Sequence, residues 1–301
     1  MRSMALPIYA TTGQKIWHYT YLIICGLVLF FLVAPLIIVI PLSFTSSPFL
    51  SFTPEMLALK PEGFSVRWYQ NLFGMCEEIK TTVCSDKWMT GFKNSIIIGI
   101  FATLLSSVLG TLAALGLSRS NMPGRKLFMA LLISPMIVPL IITAAGFALF
   151  SITIFGMRFD LVASHFGLVI AHAILGIPFV VITVTATLVG FDDNLRKAAA
   201  NLGAGPARTF FKIQMPLILP GVVSGALFAF ITSFDEVVVV IFLAGADQLT
   251  LPRQMWAGIR QEISPTILAA ATILVIISIV LLTVVELLRR RSERLRGVSP
   301  S

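Results

Sequence analysis

Six long stretches of the sequence contain no aspartate, glutamate, lysine or arginine, and Ile, Val, Leu, Phe and Ala dominate each of them. They cover residues 16–54, 94–118, 127–157, 161–191, 213–234 and 263–285. A helix needs about 20 mainly apolar residues to cross a bilayer, and each stretch reaches that length. Charged residues make up only 12% of the chain, whereas a soluble protein carries about a quarter. The sequence therefore excludes a soluble fold and predicts an integral membrane protein.

The stretches predict an all-α integral membrane protein with about six transmembrane helices. We expect these helices near residues 17–42, 95–117, 127–150, 166–189, 217–234 and 266–288, within a single transmembrane domain that occupies residues 1–301. The apolar run of the first span is far longer than the roughly 7–15 residues of a signal peptide, so we expect this span to remain as a membrane anchor.

Basic residues are distributed unequally between the two predicted faces of the membrane. With six spans both termini lie on one face, which carries fourteen basic residues against three acidic ones, whereas the other face carries eight basic and about ten acidic residues. The fourteen are Arg2, Lys15, Arg119, Arg125, Lys126, Arg196, Lys197, Arg208, Lys212, Arg289, Arg290, Arg291, Arg294 and Arg296. Lysine and arginine are enriched in cytoplasmic loops, so the asymmetry predicts cytoplasmic termini. The same rule accounts for the net charge of +8 without a nucleic-acid partner.

The predicted extracytoplasmic loop 43–93 joins the first two spans. Prolines and glycines interrupt it, which indicates ordered structure only in short pieces. Cys76 and Cys84 lie in this loop, on the side of the membrane where disulfides persist. We predict a disulfide between them, although their spacing alone does not establish its geometry.

The predicted cytoplasmic loop 192–216 between the fourth and fifth spans has the pattern of a helix, a break and a second helical segment. Asp192 is a suitable cap, good helix formers follow it, and Gly203, Gly205 and Pro206 are typical of a helix end. The apolar side chains Leu202, Phe210 and Phe211 have no lipid to enter here, so we expect them to pack on protein. The alternative is an interfacial amphipathic loop that only steadies the bundle.

The spacing Ala-Ala-x-x-Leu-Gly-Ala, followed by Phe, Pro and a second Pro-Gly, runs from Ala198 to Gly221 and resembles the EAA loop of binding-protein-dependent ABC permeases. In that family the loop is the coupling helix that docks in a groove on the ATP-hydrolysing subunit. The resemblance assigns this role to Ala198, Ala199, Leu202, Gly203, Ala204, Phe210 and Pro216. Lys197 stands where the family usually has glutamate, so the resemblance does not extend to the ionic part of the contact.

The resemblance continues from about Phe92 to Arg290. The turn 118–125 looks like a second cytoplasmic loop of the family, and the segments 233–236, 243–245 and 251–252 are similar to its spermidine/putrescine branch. This likeness implies that the chain forms half of the translocation pathway of an importer in the bacterial inner membrane. It also implies a homologous second permease subunit, a dimeric ABC ATPase and an extracytoplasmic substrate-binding protein. The substrate would be a small cationic solute such as putrescine or spermidine; the alternatives are an opine, an amino-acid derivative or another small organic solute.

Sequence motifs for catalysis and nucleotide binding are missing. There is no Gly-x-x-x-x-Gly-Lys-Ser/Thr segment, no metal-ligand spacing among the three histidines and no glycine-flanked nucleophilic serine. We therefore expect a non-catalytic subunit that binds no cofactor, while a partner ATPase uses ATP and Mg²⁺. A stand-alone channel or ion-driven transporter is the rival class, but it would require paired intramembrane charges or inverted repeats, which the sequence lacks.

Asp235 and Glu236 are adjacent carboxylates at the end of the predicted fifth span, about 27 Å along the helix from Leu217. Because an apolar run follows them, we expect a helix that is broken near the carboxylates and partly lines a cavity. Two carboxylates facing a pore would favour a cationic substrate. The alternative is an outer interface where they are solvated or paired with Arg253 or Arg260.

Two further pairs are interpreted as packing residues. His165 and His172 lie seven residues apart on one face of the fourth span, and a proton relay is the alternative for them. Gly221 and Gly225 form a small-x-x-x-small pair that predicts close approach of a neighbouring helix.

Overall fold

The computed structural model describes residues 9–75, 86–119, 121–149, 151–154, 157–261 and 263–295. The helices are α1 Thr12–Leu42, α2 Pro54–Leu57, α3 Arg67–Leu72, α4 Asp86–Leu117, α5 Arg125–Ile137, α6 Leu140–Leu149, α7 His165–Val189, α8 Asp193–Asn201, α9 Pro206–Thr209, α10 Met215–Phe234, α11 Val238–Leu243, α12 Leu251–Gln261 and α13 Pro265–Leu295. Short 3₁₀ turns occupy Pro61–Gly63 and Ala246–Gln248, a π-helical turn occupies Phe210–Gln214, and β1 Ser151–Ile154 pairs with β2 Met157–Asp160.

Among the described residues five helical segments are long and apolar enough to cross a membrane, and a sixth span is formed if the bent pair α5 and α6 counts as one. The predicted helical membrane fold is therefore confirmed, but the prediction of one continuous helix over 127–150 is wrong. The pair bends by 100° at Val138 and Pro139. Val138 has the extended backbone that a following proline favours, and this conformation ends α5.

The other departures from prediction lie at the ends of the apolar stretches. Residues 151–154 and 157–160 form the antiparallel strands β1 and β2, which the sequence analysis did not foresee. The helix α4 begins at Asp86 rather than near Ser95, so the loop that was predicted over 43–93 ends earlier. Trp88 lies in the turns of α4 that precede the apolar stretch. It packs with Leu251 and Ile267 in a buried cluster, and this contact stabilises the helical conformation there.

As far as residue 75, the loop after α1 contains only short helical pieces, as the sequence predicts. Its backbone is held by side chains: Trp68 donates its indole N–H to the carbonyl oxygen of Thr45 at 2.7 Å. The amide of Asn71 donates to Thr266 Oγ1 at 3.1 Å and thereby joins this loop to the start of α13. Cys76 and Cys84 lie outside the described residues.

The helices α4, α7 and α10 pack against each other and form the centre of the bundle. Glycines at the crossings make this possible, as predicted for Gly221 and Gly225. A Cβ atom on Gly225 would lie 2.7 Å from the Cα of Val180, and one on Gly221 would overlap the hydroxyl of Thr187. At these two positions no side chain larger than hydrogen fits between α7 and α10.

Candidate functional site

The loop after α7 forms the helix, break and second helix that the sequence predicts. Asp192 caps α8, because its Oδ1 accepts the N–H of Asn194 at 2.9 Å. The helix ends at Asn201, and Gly203 has a left-handed φ of +78°, which glycine adopts without strain. Pro206 then occupies the first turn of α9, where a missing N–H costs nothing.

The second helical segment continues directly into the fifth span. The sequence analysis expected that span near residues 217–234, but one helical run extends from Pro206 to Phe234. Pro216 is accommodated by the π-helical turn, in which the N–H of Met215 bonds to Phe210, five residues earlier. The second helical segment of the loop, from Pro206 onward, and the membrane helix are therefore mechanically one element.

The exposed large apolar side chains of this loop include Leu195, Leu202 and Phe211. Leu202 is 87% exposed between α8 and α9, and Phe211 is 69% exposed in the first turns of the helical run that becomes the fifth span. Phe210 is half-buried and meets Phe211 edge to face, with 4.9 Å between ring centroids. Exposed apolar groups in such a position indicate a protein partner.

The predicted coupling residues do not all face outward. Leu202, Gly203, Ala198 and Pro216 are exposed, whereas Ala204 and Phe210 are half-buried. The list of residues that the resemblance assigns also includes Ala199, which is buried within the chain and so supports α8 from inside. Phe211, absent from that assignment, is the more exposed aromatic residue of the loop.

The structure separates the roles of the two carboxylates at the end of α10. The helix is broken there, as predicted, because α10 ends at Phe234 and α11 begins at Val238. Asp235 is exposed. Glu236 is only 8% exposed, and its Oε1 accepts the N–H of Val239 at 3.0 Å, so it caps α11. Within the described part of the chain, neither carboxylate pairs with Arg253 or Arg260.

Both histidines of α7 make structural hydrogen bonds. His172 is 1% exposed, and its Nδ1 lies 2.8 Å from the hydroxyl of Ser233, two residues before Asp235. His165 Nε2 lies 3.2 Å from Asn94 Oδ1. The packing interpretation of this pair is thus supported. Among the described residues no group of three His, Cys, Asp or Glu side chains could hold a metal ion.

Asn94 organises the chain after α11, and the sequence analysis missed it. Its side-chain amide donates to the carbonyl oxygens of Asp247 at 2.8 Å and Leu249 at 2.9 Å, while Oδ1 receives the bond from His165. Ser95 accepts the N–H of Leu251 at 2.9 Å. These bonds fix the segment 245–251 against α4. In the sequence this role is indicated only by an asparagine at the start of the second apolar stretch, directly after Lys93.

We expect Asn94→Ala to destabilise the protein by about 2–3 kcal/mol, because it leaves two carbonyl groups without their donor. The measurement is the thermal unfolding midpoint of the purified protein in detergent. Asn201→Ala is the control, since Asn201 is exposed at the end of α8. Equal midpoints for the two variants would contradict the assigned role of Asn94.

Comparison with known proteins identifies the family. Residues 106–296 match the family described as binding-protein-dependent transport system inner membrane component. The spermidine/putrescine transport system permease protein PotC of Haemophilus influenzae is 31% identical over 244 residues, covering 81% of this chain and 89% of the relative. The putrescine transport system permease protein PotI of Escherichia coli is 29% identical over 248 residues, covering 81% of each chain.

Solved structures show the same fold. A bacterial ABC transporter involved in the import of the acidic polysaccharide alginate aligns with a TM-score of 0.65 at 17% identity, over 93% of this chain and 99% of that one. Because the family match spans well over half of the sequence, the chain belongs to the binding-protein-dependent transport system inner membrane components, the permease subunits of ABC transporters.

Proposed function

We propose that this chain forms half of the translocation pathway of an ATP-driven importer for a small polyamine such as putrescine or spermidine. The observation that carries the proposal is the pair of exposed apolar side chains Leu202 and Phe211 on the loop 192–216, whose second helical segment continues from Pro206 without interruption into a membrane span. The names of the relatives support the substrate class. The other parts are a homologous second permease, a dimeric ABC ATPase that uses ATP and Mg²⁺, and an extracytoplasmic substrate-binding protein.

The proposed topology follows from charge. Both termini and the loop 192–216 lie in the cytoplasm, and the loop after α1 lies outside, because the basic residues concentrate on the first of these faces. The helix α4 connects the two ends of the molecule. Trp88 near its start contacts Leu251 of α12 and Ile267 of α13, and Leu115 near its end lines a cavity with Arg196 of α8.

In the proposed mechanism the loop transmits movement from the ATPase. Leu202 and Phe211 insert into an apolar groove of the ATPase, and Gly203 sets the angle between α8 and α9. The run from Pro206 to Phe234 has 29 residues and is therefore about 44 Å long. Closure of the ATPase dimer displaces the cytoplasmic end of this helical run, and the extracytoplasmic end moves with it. The translocation pathway thereby changes from inward-facing to outward-facing.

Asp235 is the proposed contact for the substrate's ammonium group. It is exposed directly after the extracytoplasmic end of the helical run Pro206–Phe234, where a carboxylate attracts a cation. Glu236 has its carboxylate engaged by α11 and is assigned a structural role instead. Of the pair that was predicted to contact the solute, the geometry favours Asp235.

We expect Asp235→Asn to raise the KM for putrescine uptake roughly tenfold, because a charge-assisted contact is lost. Glu236→Gln should leave KM unchanged, since an amide oxygen still accepts the N–H of Val239. Uptake of labelled putrescine and spermidine is measured in cells that carry all subunits. An unchanged KM in Asp235→Asn would favour the alternative of a solvated interfacial carboxylate. No polyamine uptake by the unaltered transporter would favour another small organic solute.

A further inference from the structure

An open cleft lies between the inner ends of the bundle helices and α8. It consists of two adjoining cavities of about 450 and 570 Å³ that share the residues Ser118, Arg119, Arg196 and Gln214. We call it the basic cleft. Neither the substrate contact at Asp235 nor the exposed apolar side chains of the loop belong to it.

We propose that the basic cleft binds a phosphate group, supplied by the headgroup of an anionic phospholipid or by free phosphate. Arg119 supplies the unbalanced charge, because no described side chain forms an ion pair with it. Arg196 Nη2 bonds to Asp193 Oδ2 at 3.0 Å, so its charge is partly neutralised, and Asp193 itself lines one cavity. Arginine suits this ligand because its planar guanidinium donates two parallel hydrogen bonds to phosphate oxygens.

The position of the cleft matches the level of lipid headgroups. Its walls come from the last residues of two spans, since α4 ends at Leu117 and α7 ends at Val189. Basic pockets between transmembrane helices at this level are typical sites for anionic headgroups. The inference therefore needs only that these helices span the membrane, and it holds whatever solute is transported.

The lining is apolar beside the arginines. Leu115 and Phe210 line one cavity, and Leu188 and Phe191 line the other. A phosphate on the guanidinium groups would leave the glycerol and the first acyl carbons of a lipid against these side chains. This favours a lipid over a free phosphate ion.

The cleft and the exposed Leu202 lie on different faces of α8, although Ala204 and Phe210, which the resemblance assigns to coupling, line the cleft. Asp193, Arg196 and Ala200 line the cleft at spacings of three and four residues, so they share one face. Leu195 and Leu202, seven residues apart, share another face. A protein docked on Leu202 would therefore not need to occupy the cleft.

The test measures retention of phosphatidylglycerol by the intact transporter. The complex is purified in detergent, titrated with phosphatidylglycerol or phosphatidylcholine, and examined by native mass spectrometry, with and without millimolar inorganic phosphate. Arg119→Gln is compared with Arg125→Gln, whose arginine lies at the start of α5 and outside the cleft. We expect roughly tenfold weaker phosphatidylglycerol binding in Arg119→Gln and unchanged binding in Arg125→Gln.

The measurements with and without inorganic phosphate distinguish the two sources of the ligand. If inorganic phosphate does not displace phosphatidylglycerol, the ligand is a lipid headgroup. If it does displace the lipid, the ligand is free phosphate, and either result supports the site. Arg119→Lys keeps the charge and should retain most of the binding. Equal binding by Arg119→Gln and the unaltered chain would overturn the proposal, as would equal losses in the Gln and Lys variants. Loss of the ATPase subunits from Arg119→Gln with unchanged lipid binding would also overturn it and would assign the cleft to a protein contact.

Discussion

We expect Leu202→Asp to abolish substrate uptake and to detach the ATPase subunits from the membrane complex. Leu202 is 87% exposed at the end of α8, and the proposed docking buries it in an apolar groove. An unpaired carboxylate in that groove costs about 3 kcal/mol or more, which corresponds to at least roughly a hundredfold weaker docking. The measurements are uptake by cells and co-purification of the ATPase with an affinity tag on this chain.

The matched control for this variant is Leu59→Asp. Leu59 is 82% exposed but lies in the loop after α1, which the proposed topology places on the other side of the membrane from the loop 192–216. Its replacement should leave the ATPase attached, whereas Leu202→Met should retain both uptake and docking because it keeps the apolar volume. If the ATPase stays bound to Leu202→Asp and uptake continues, the assignment of this loop to ATPase docking is wrong.

Gly225→Leu should prevent the chain from forming its folded bundle. A Cβ atom at this position lies 2.7 Å from the Cα of Val180, and backbone cannot move aside as a flexible side chain can. Separating α7 from α10 would also detach the whole helical run Pro206–Phe234 from α7. We expect a loss of about 3 kcal/mol or more, seen as a sharp decrease in monodisperse protein after detergent extraction.

Gly116→Leu provides the comparison, because a Cβ atom on this glycine of α4 has no neighbour within 4 Å. Because Gly116 is the next-to-last residue of α4, its removal should change stability by less than about 1 kcal/mol. Similar yields of folded protein from both leucine variants would show that the close crossing of α7 and α10 is not required for folding.

The helical spans were predictable because bilayer crossing imposes a length of apolar sequence that few other structures need. The helix break after Phe234 was predictable for the same reason, since the apolar run was too long for one straight span. Pro135 and Pro139 both occur in the third apolar stretch, yet only Pro139 lies at the bend. This choice depends on tertiary contacts, because α6 packs with Val239 and Val240 of α11 in a buried cluster.

The candidate site was only partly predictable. The spacing of Leu202, Gly203 and Pro206 indicated the helix and its break, because capping and glycine conformation are local properties. Phe210 and Phe211 are adjacent aromatics, and nothing local indicates which one faces outward. Likewise, the contacts of Asn94 with Asp247 and Leu249 join positions more than 150 residues apart, which no local pattern reveals.

The sequence by itself determined the membrane class, the number of apolar stretches and the position of the exposed loop, because these depend on composition and on neighbours along the chain. Only the tertiary structure decided that Glu236 caps α11 while Asp235 stays exposed, and that Arg119 and Arg196 share one cleft. The physical reason is that burial and pairing are set by the packing of helices distant in sequence. Two adjacent carboxylates carry the same charge in the sequence but meet different surroundings in the fold.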